Sequence, residues 1–298
     1  MEDELWRSLY QLLLQESKHR LRRKGVWFTD LMILGVFFWA VLHDRPVSWA
    51  CRRKSWPAQM PWDSLPSASA MSRRLRSFSV ISLLKAMLDA LAATTTPSLL
   101  HSVDAKPLVV GGFSKDHDAK WGYAVDGKAR GYKLFAIWSE TSPVPDCWDL
   151  GPMNRSEPVV AEQLVGRLDR GGYLLGDSAY DTNPLHQLCA DHGLQLVAPR
   201  KKPGTGLGHT EHSHSRLRSI ELLEVRPAIL GNESRTFGPD LFACRTSIER
   251  NFGNLGNFGG GLAPLPNWVR RPHRVAMWVA AKLAINGLRI LKNKGVTA

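Results

Sequence analysis

The sequence is short of cysteine, of acid relative to base, and of long apolar runs. Its four cysteines, at 51, 147, 189 and 244, stand far apart and form no C-x-x-C pair. That spacing argues against a zinc ribbon or a disulfide framework and fits a reducing compartment. The most apolar stretch, Leu31–Leu42, has 12 residues, whereas a membrane span needs about 20. It reads as a buried helix, and no membrane partner is expected. The opening Met1-Glu2-Asp3-Glu4 is acidic and unlike a signal peptide, so a cytoplasmic location is expected.

What is present is an ordinary globular composition with a basic surplus. The 298 residues are 44% hydrophobic and 22% charged, which excludes wholesale disorder and suits about two domains. Lys and Arg number 39 against 27 Asp and Glu, a net charge of +12. Such a surplus favours a polyanionic partner. It is unevenly spread: +6 over residues 1–100, −4 over 101–199 and +10 over 200–298. An acidic middle between basic flanks suggests a carboxylate site framed by phosphate-binding surface.

Residues 1–95 read as a helical, DNA-binding domain. Leu5, Trp6, Leu9, Leu12 and Leu13 recur at helical spacing, and the run Ser17–Lys24 is basic. A second helix is expected over Thr29–His43, capped by Thr29 or Asp30, and a third over Ser67–Leu91 with Arg73, Arg74 and Arg76 on its first turns. Short helices with an Arg-rich start suit a helix-turn-helix, or equally a bundle with solvated arginines. Thr94–Ser98 is the natural linker.

Residues 96–298 read as α/β. Strands are expected at Leu99–Asp104 continuing through Leu108–Gly112, then Gly131–Ser139, Cys147–Pro152, Gly172–Asp177 and Leu194–Ala198. Helices are expected after Ser156, over Asn183–His192, Leu241–Leu255 and Arg271–Lys292. Three strands followed by alternating strands and helices indicate a mixed sheet flanked by helices.

Three carboxylates stand out by placement. Asp104 ends the first strand, Asp177 follows the buried strand Gly172–Leu175, and Glu249 lies within a helix. Strand-end residues gather at one edge of an open α/β sheet, where such folds place ligands. Carboxylate oxygens are hard donors that suit Mg²⁺ or Mn²⁺. Each acid also has a plainer reading: a turn or cap for Asp104 and Asp177, a helix-surface ion pair with Arg245 or Arg250 for Glu249. Asp116, Asp118 and Asp181 read as turn residues, Tyr180 as packing, and Trp121, in the Asp116–Lys128 loop, as packing or as a stacking surface for a base.

Taken together, Val103-Asp104, Gly131-Tyr132-Lys133-Leu134, Gly176-Asp177-Ser178-Ala179-Tyr180-Asp181 and Arg245-x3-Glu249-Arg250-x-Phe252 occur in order on suitable elements. In this the chain resembles the DDE transposases of bacterial insertion sequences, with their RNase H-like catalytic core. One branch carries a Y-x2-R-x3-E-x6-K signature; here those positions hold Phe242, Arg245, Glu249 and Gly256, so the Lys is absent. The resemblance implies an RNase H-like mixed sheet, with Asp104, Asp177 and Glu249 as catalytic and metal-binding residues. Mg²⁺, for which Mn²⁺ can substitute, would be the cofactor. It also implies cleavage of double-stranded DNA at the ends of a mobile element, then joining to target DNA, in a bacterial cytoplasm at the nucleoid and as a homodimer on DNA.

Arg245, Arg250, Arg200, Lys201 and Lys202 are the expected DNA contacts near this site, with Arg73, Arg74 and Arg76 in the helical domain. Arg270, Arg271 and Arg274 suit DNA contact or a solvated face equally. His209, His212 and His214 lie in a glycine-rich loop without regular ligand spacing. Two alternatives remain: an inactive, transposase-derived DNA-binding protein, or an RNase H-like nuclease that cleaves without joining.

Overall fold

The computed structural model describes residues 2–18, 20, 25–58, 61–208, 211–224, 237–256 and 261–295. His209, His19 and positions 21–24 of the basic run lie outside them. The chain forms two compact units.

The first unit comprises Met1–Thr95, Val109–Ala119 and Asn254–Ala298. Its helices are α1 (Glu2–Ser17), α2 (Asp30–Leu42), α3 (Val47–Ala50), α4 (Ala68–Arg74) and α5 (Phe78–Ala92), with a C-terminal helix, Pro272–Asn293. Helix α1 starts with three acids, which suit the positive end of its dipole, and buries Leu5, Trp6, Leu9, Leu12 and Leu13. Helix α2 is apolar on every side and buried on nearly every side. Thr29 caps it, its hydroxyl accepting the Met32 N–H. The expected Ser67–Leu91 helix is two helices, α4 and α5, parted at Leu75–Ser77, where the Ser77 hydroxyl turns back to the Arg74 carbonyl. The tryptophans interleaved with prolines build an aromatic cluster in which Trp6, Trp56 and Trp62 meet edge to face.

The C-terminal helix packs against α1, α2 and α5. This differs from the expected boundary, which joined residues 254–298 to the α/β body. The helix buries Val275, Val279, Leu283 and Ile285 together with Lys282, whose ammonium pairs with Asp44 at 2.6 Å. A face that apolar needs a bundle to cover it.

The second unit comprises Thr96–Leu108 and Lys120–Gly253. Its strands are β1 (Leu100–Val109), β2 (Lys120–Ala124), β3 (Gly127–Ser139), β4 (Cys147–Pro152), β5 (Gly172–Leu175) and β6 (Leu194–Val197). The sheet order is β2-β3-β1-β5-β6, with β4 also paired to β3. Strands β2 and β4 run antiparallel to β3, while β1, β5 and β6 are parallel. The helices are α6 (Glu157–Val165), α7 (Asn183–Asp191), α8 (His214–Leu223), α9 (Phe237–Ala243) and α10 (Thr246–Gly256), so the C-terminal helix is α11. The architecture is a mixed sheet flanked by helices, preceded by a helical region, as expected. Val103, Phe135, Val160, Leu164, Leu174 and Leu196 belong to one buried cluster of this unit.

Some details differ from expectation. Strand β2 is not among the expected strands; it pairs with β3 through a two-residue turn closed by Gly127 at φ +109°. Gly131 is required where β3 passes β1, because a Cβ there would lie 2.2 Å from the Leu108 carbonyl oxygen. The expected Leu241–Leu255 helix breaks between α9 and α10, and α8 occupies the end of the expected glycine- and histidine-rich loop. Among the described residues no helix is long and apolar enough to cross a membrane.

Candidate active site

The parallel register of β1 and β5 sets up the site. Ser102 lies opposite Leu175, and Asp104 and Asp177 each follow two residues further on. With a side-chain period of two, both carboxylates fall at the same level. Asp104 lies within β1, which runs on to Val109 rather than ending at Asp104 as expected, while Asp177 follows the end of β5. The Asp104 Oδ1 accepts the Ala105 N–H at 2.8 Å. The Asp177 Oδ1 accepts the Ala179 N–H at 2.8 Å, opening the turn Ser178–Tyr180. That local hydrogen bond is a cap, so the plain reading of Asp177 is realised in geometry alongside its place at the sheet edge.

Glu249 arrives on α10, held by Arg245 one turn earlier: Nη2 donates to Glu249 Oε1 at 2.5 Å. The other guanidinium nitrogen, Nη1, stands 3.9 Å from Asp104 Oδ2. Arg245 also lies over the Phe242 ring, 6.0 Å from its centroid. Phe242, Arg245 and Glu249 therefore touch in series, and Arg245 connects α10 to β1.

Burial, with added repulsion from Asp177 and Glu157, pushes the Asp104 carboxyl up to about 6, against the opposing Ala105 N–H and Arg245. Tyr180 is 1% exposed and its phenol is held well above its ordinary value by burial, with Glu157, Asp104 and Asp177 adding to the shift. Its hydroxyl has no hydrogen-bond partner among the described residues. It packs as expected, beneath Gly176.

Glu157, in the first turn of α6, lies outside the expected site residues. It accepts a hydrogen bond of 2.5 Å from Lys133 Nζ, and Lys133 is only 9% exposed within the apolar strand β3. The signal was Lys133 itself: a lysine in a buried strand needs a carboxylate partner.

Asp104 and Asp177 fit a hard divalent cation in donor chemistry, and repulsion from Asp177 and Glu157 adds to the burial that lifts the Asp104 carboxyl. Glu249 fits only on leaving Arg245. Among the described residues, no three His, Cys, Asp or Glu side chains converge closely enough to hold an ion as they stand.

The other candidates separate clearly. Arg250, Lys201 and Lys202 are exposed. Arg200 is committed to Glu224 and the Thr205 carbonyl. Arg73 and Arg76 are exposed, whereas Arg74 is bound to Asp30 and the Phe28 carbonyl. Asp181 is more than a turn residue: Arg216 clamps both its oxygens, at 2.7 and 2.8 Å, and the Lys201 N–H adds a third contact. Asp116 takes a turn role by accepting the Asp118 N–H, and its other oxygen accepts the Arg271 N–H from far along the chain. Trp121, expected to pack or to stack on a base, is 66% exposed. His212 bonds to Arg216, Leu207 and Asn183, and His214 begins α8.

The family model described as transposase DDE domain matches residues 96–286. No curated relative matches the chain. Among solved structures, the chain is similar to the piggyBac transposase in a cryo-EM synaptic complex with hairpin DNA. The identity there is 10% and the TM-score 0.45, over 98% of this chain and 74% of that one, a likeness too slight to carry an argument.

Proposed function

We propose, proceeding from the fact that this chain belongs to the transposase DDE-domain family, that it cleaves DNA at the ends of a mobile element. The freed 3′-OH then attacks target DNA, with Asp104, Asp177 and Glu249 as the catalytic acids. The observation that carries this reading is the shared level of Asp104, on β1, and Asp177, two residues past β5, with Arg245 joining Asp104 to Glu249.

Asp104 and Asp177 would hold Mg²⁺, or Mn²⁺ in its place, and Glu249 would complete the set after release from Arg245. When bound, the ions supply charge neutralisation at phosphorus and a more acidic attacking oxygen. Arg245 then becomes available to a DNA phosphate, for which its planar fork is suited. Exposed Arg250, Lys201 and Lys202 on the same unit supply further phosphate contacts, as do Arg73 and Arg76 on the helical unit. Arg200 and Arg74, already committed to carboxylates, act as structural cations. Cleavage and joining are both phosphoryl transfers in which positioning and electrostatics dominate. A bacterial cytoplasmic setting and a dimer that brings two ends together follow from the same reading.

The test mixes purified protein, Mg²⁺ and labelled element ends. Wild type is expected to cleave and to join, and Asp177→Ala or Glu249→Gln to lose both by at least about 10²-fold while still binding DNA. Undiminished cleavage in either variant overturns the assignment. Gly256 in place of the signature Lys favours the alternative of an inactive DNA-binding descendant, for which wild type would bind without cleaving. Cleavage without joining would identify a nuclease.

A further inference from the structure

The helical unit holds a cavity that none of the catalytic acids uses. Its volume is about 280 Å³, near the lower edge of the roughly 300–1,000 Å³ usual for ligand pockets. That is room for one planar ring and its sugar, not for an extended ligand. Phe37, Leu75, Met277 and Trp278 give it an apolar lining, and Trp268 adds a half-exposed indole.

The polar part of the lining has one sign. Arg45, Arg76 and Arg274 border the cavity with His273, and no Asp or Glu does. Arg76 spends its Nε on the Ser72 carbonyl. Arg45 and Arg274 have exposed side chains with no carboxylate partner among the described residues. His273 is held below its ordinary value by burial and by Arg274, Arg76 and Arg271, a sign of surplus positive charge around it. The Trp278 indole N–H, buried in the same lining, has no acceptor among the described residues. Three guanidiniums, an idle N–H donor and aromatic faces are complementary to a group that joins an anion to a flat ring carrying acceptors.

We infer that this cavity receives one unpaired nucleotide of a DNA strand, its phosphate on Arg45, Arg76 and Arg274 and its base against Trp268. A base inside duplex has both faces stacked and cannot enter, whereas a nucleotide in a tail, gap or opened end presents a free face. Arginine forks bind phosphate bidentately, and indole is the best aromatic partner for cations and a good stacking surface for bases. The inference rests on the DNA-processing reading above and adds a site specific for unpaired DNA, placed on the helical unit.

The experiment measures binding by fluorescence anisotropy with the full chain in metal-free buffer. The probes are a labelled duplex with an unpaired tail and the same duplex blunt-ended. Wild type is expected to bind the tailed probe about tenfold more tightly, the gain of one stacked base. Trp268→Leu and Arg274→Gln should each erase that preference and leave blunt-duplex binding within about twofold of wild type, beyond which each 1.4 kcal/mol is a further tenfold. Arg45→Gln, at an exposed position, is a second variant should Arg274→Gln disturb the fold, and thermal melting checks each. A dinucleotide should displace the tailed probe and inorganic phosphate at equal concentration should not. Wild type that binds blunt duplex but shows no preference for the tail overturns this inference alone, as does equal displacement by inorganic phosphate. Wild type that binds neither probe overturns the DNA reading with it.

Discussion

Arg245 donates to Glu249 at 2.5 Å and with its other nitrogen stands 3.9 Å from Asp104. The arginine of the signature thus occupies the gap between Asp104 and Glu249 and fixes the α10 carboxylate beside β1. Arg245→Gln should lower cleavage about 10²-fold, because the phosphate contact proposed for its guanidinium is lost. Arg245→Lys, which keeps the charge and loses the fork, should recover part of it. Single-turnover cleavage of labelled ends checks this; wild-type rates in both variants would contradict it.

Asp104 carries an electrostatic cost on folding, chiefly from burial. Its folded value of about 6 lies above the roughly 3.9 of an unfolded aspartate. An acid raised on folding binds its proton more tightly in the native state, so stability is full below about pH 4 and falls as pH rises through about 6. Metal-free Asp104→Asn should consequently be more stable than wild type at pH 7.5, by on the order of 2 kcal/mol. The difference should vanish below about pH 4. Urea unfolding at several pH values, with chelator present, reads it.

Asp181 has the opposite sign. Burial works against its charge, but the His186 ring 3.4 Å away and hydrogen bonds from Arg216 and the Lys201 N–H outweigh burial and hold it well below the carboxylate range. Its contribution is present above the unfolded value of about 3.9 and is lost as pH falls through the depressed folded value. Asp181→Asn leaves Arg216 without its partner and should cost about 3–5 kcal/mol at neutral pH. The loss should shrink progressively in acid, as followed by denaturant midpoints.

Lys133 and Glu157 form the second charged pair at the site. Lys133→Met leaves the Glu157 carboxylate uncompensated near Asp104 and should cost about 3–5 kcal/mol. Adding Glu157→Gln should restore much of that stability, giving a non-additive double-mutant cycle. Additive losses would show that the two side chains act independently.

Asp177 was legible because the short apolar strand β5 gives way to it, and Glu249 because Arg245 precedes it by one turn. Asp104, by contrast, was expected at a strand end and lies within β1, which runs on to Val109. The mixed sheet followed from the same alternation. Strand β2 was obscured because its outward residues Trp121 and Tyr123 are exposed aromatics, though the Asp126-Gly127 turn signal was present. The break before α10 and the packing of α11 with α1, α2 and α5 depend on contacts between residues far apart in sequence. Glu157 was hidden for the same reason: its meaning comes from Lys133, 24 positions earlier on a different element.

The most direct measurement is Mn²⁺ binding by electron paramagnetic resonance, titrating the full chain with element-end DNA present. Each of Asp104→Asn, Asp177→Asn and Glu249→Gln should weaken Mn²⁺ binding by at least about tenfold, or roughly 1.4 kcal/mol, with DNA affinity kept. Mn²⁺ affinity equal to wild type in Asp177→Asn would contradict the account, because the acids would then not share a cation.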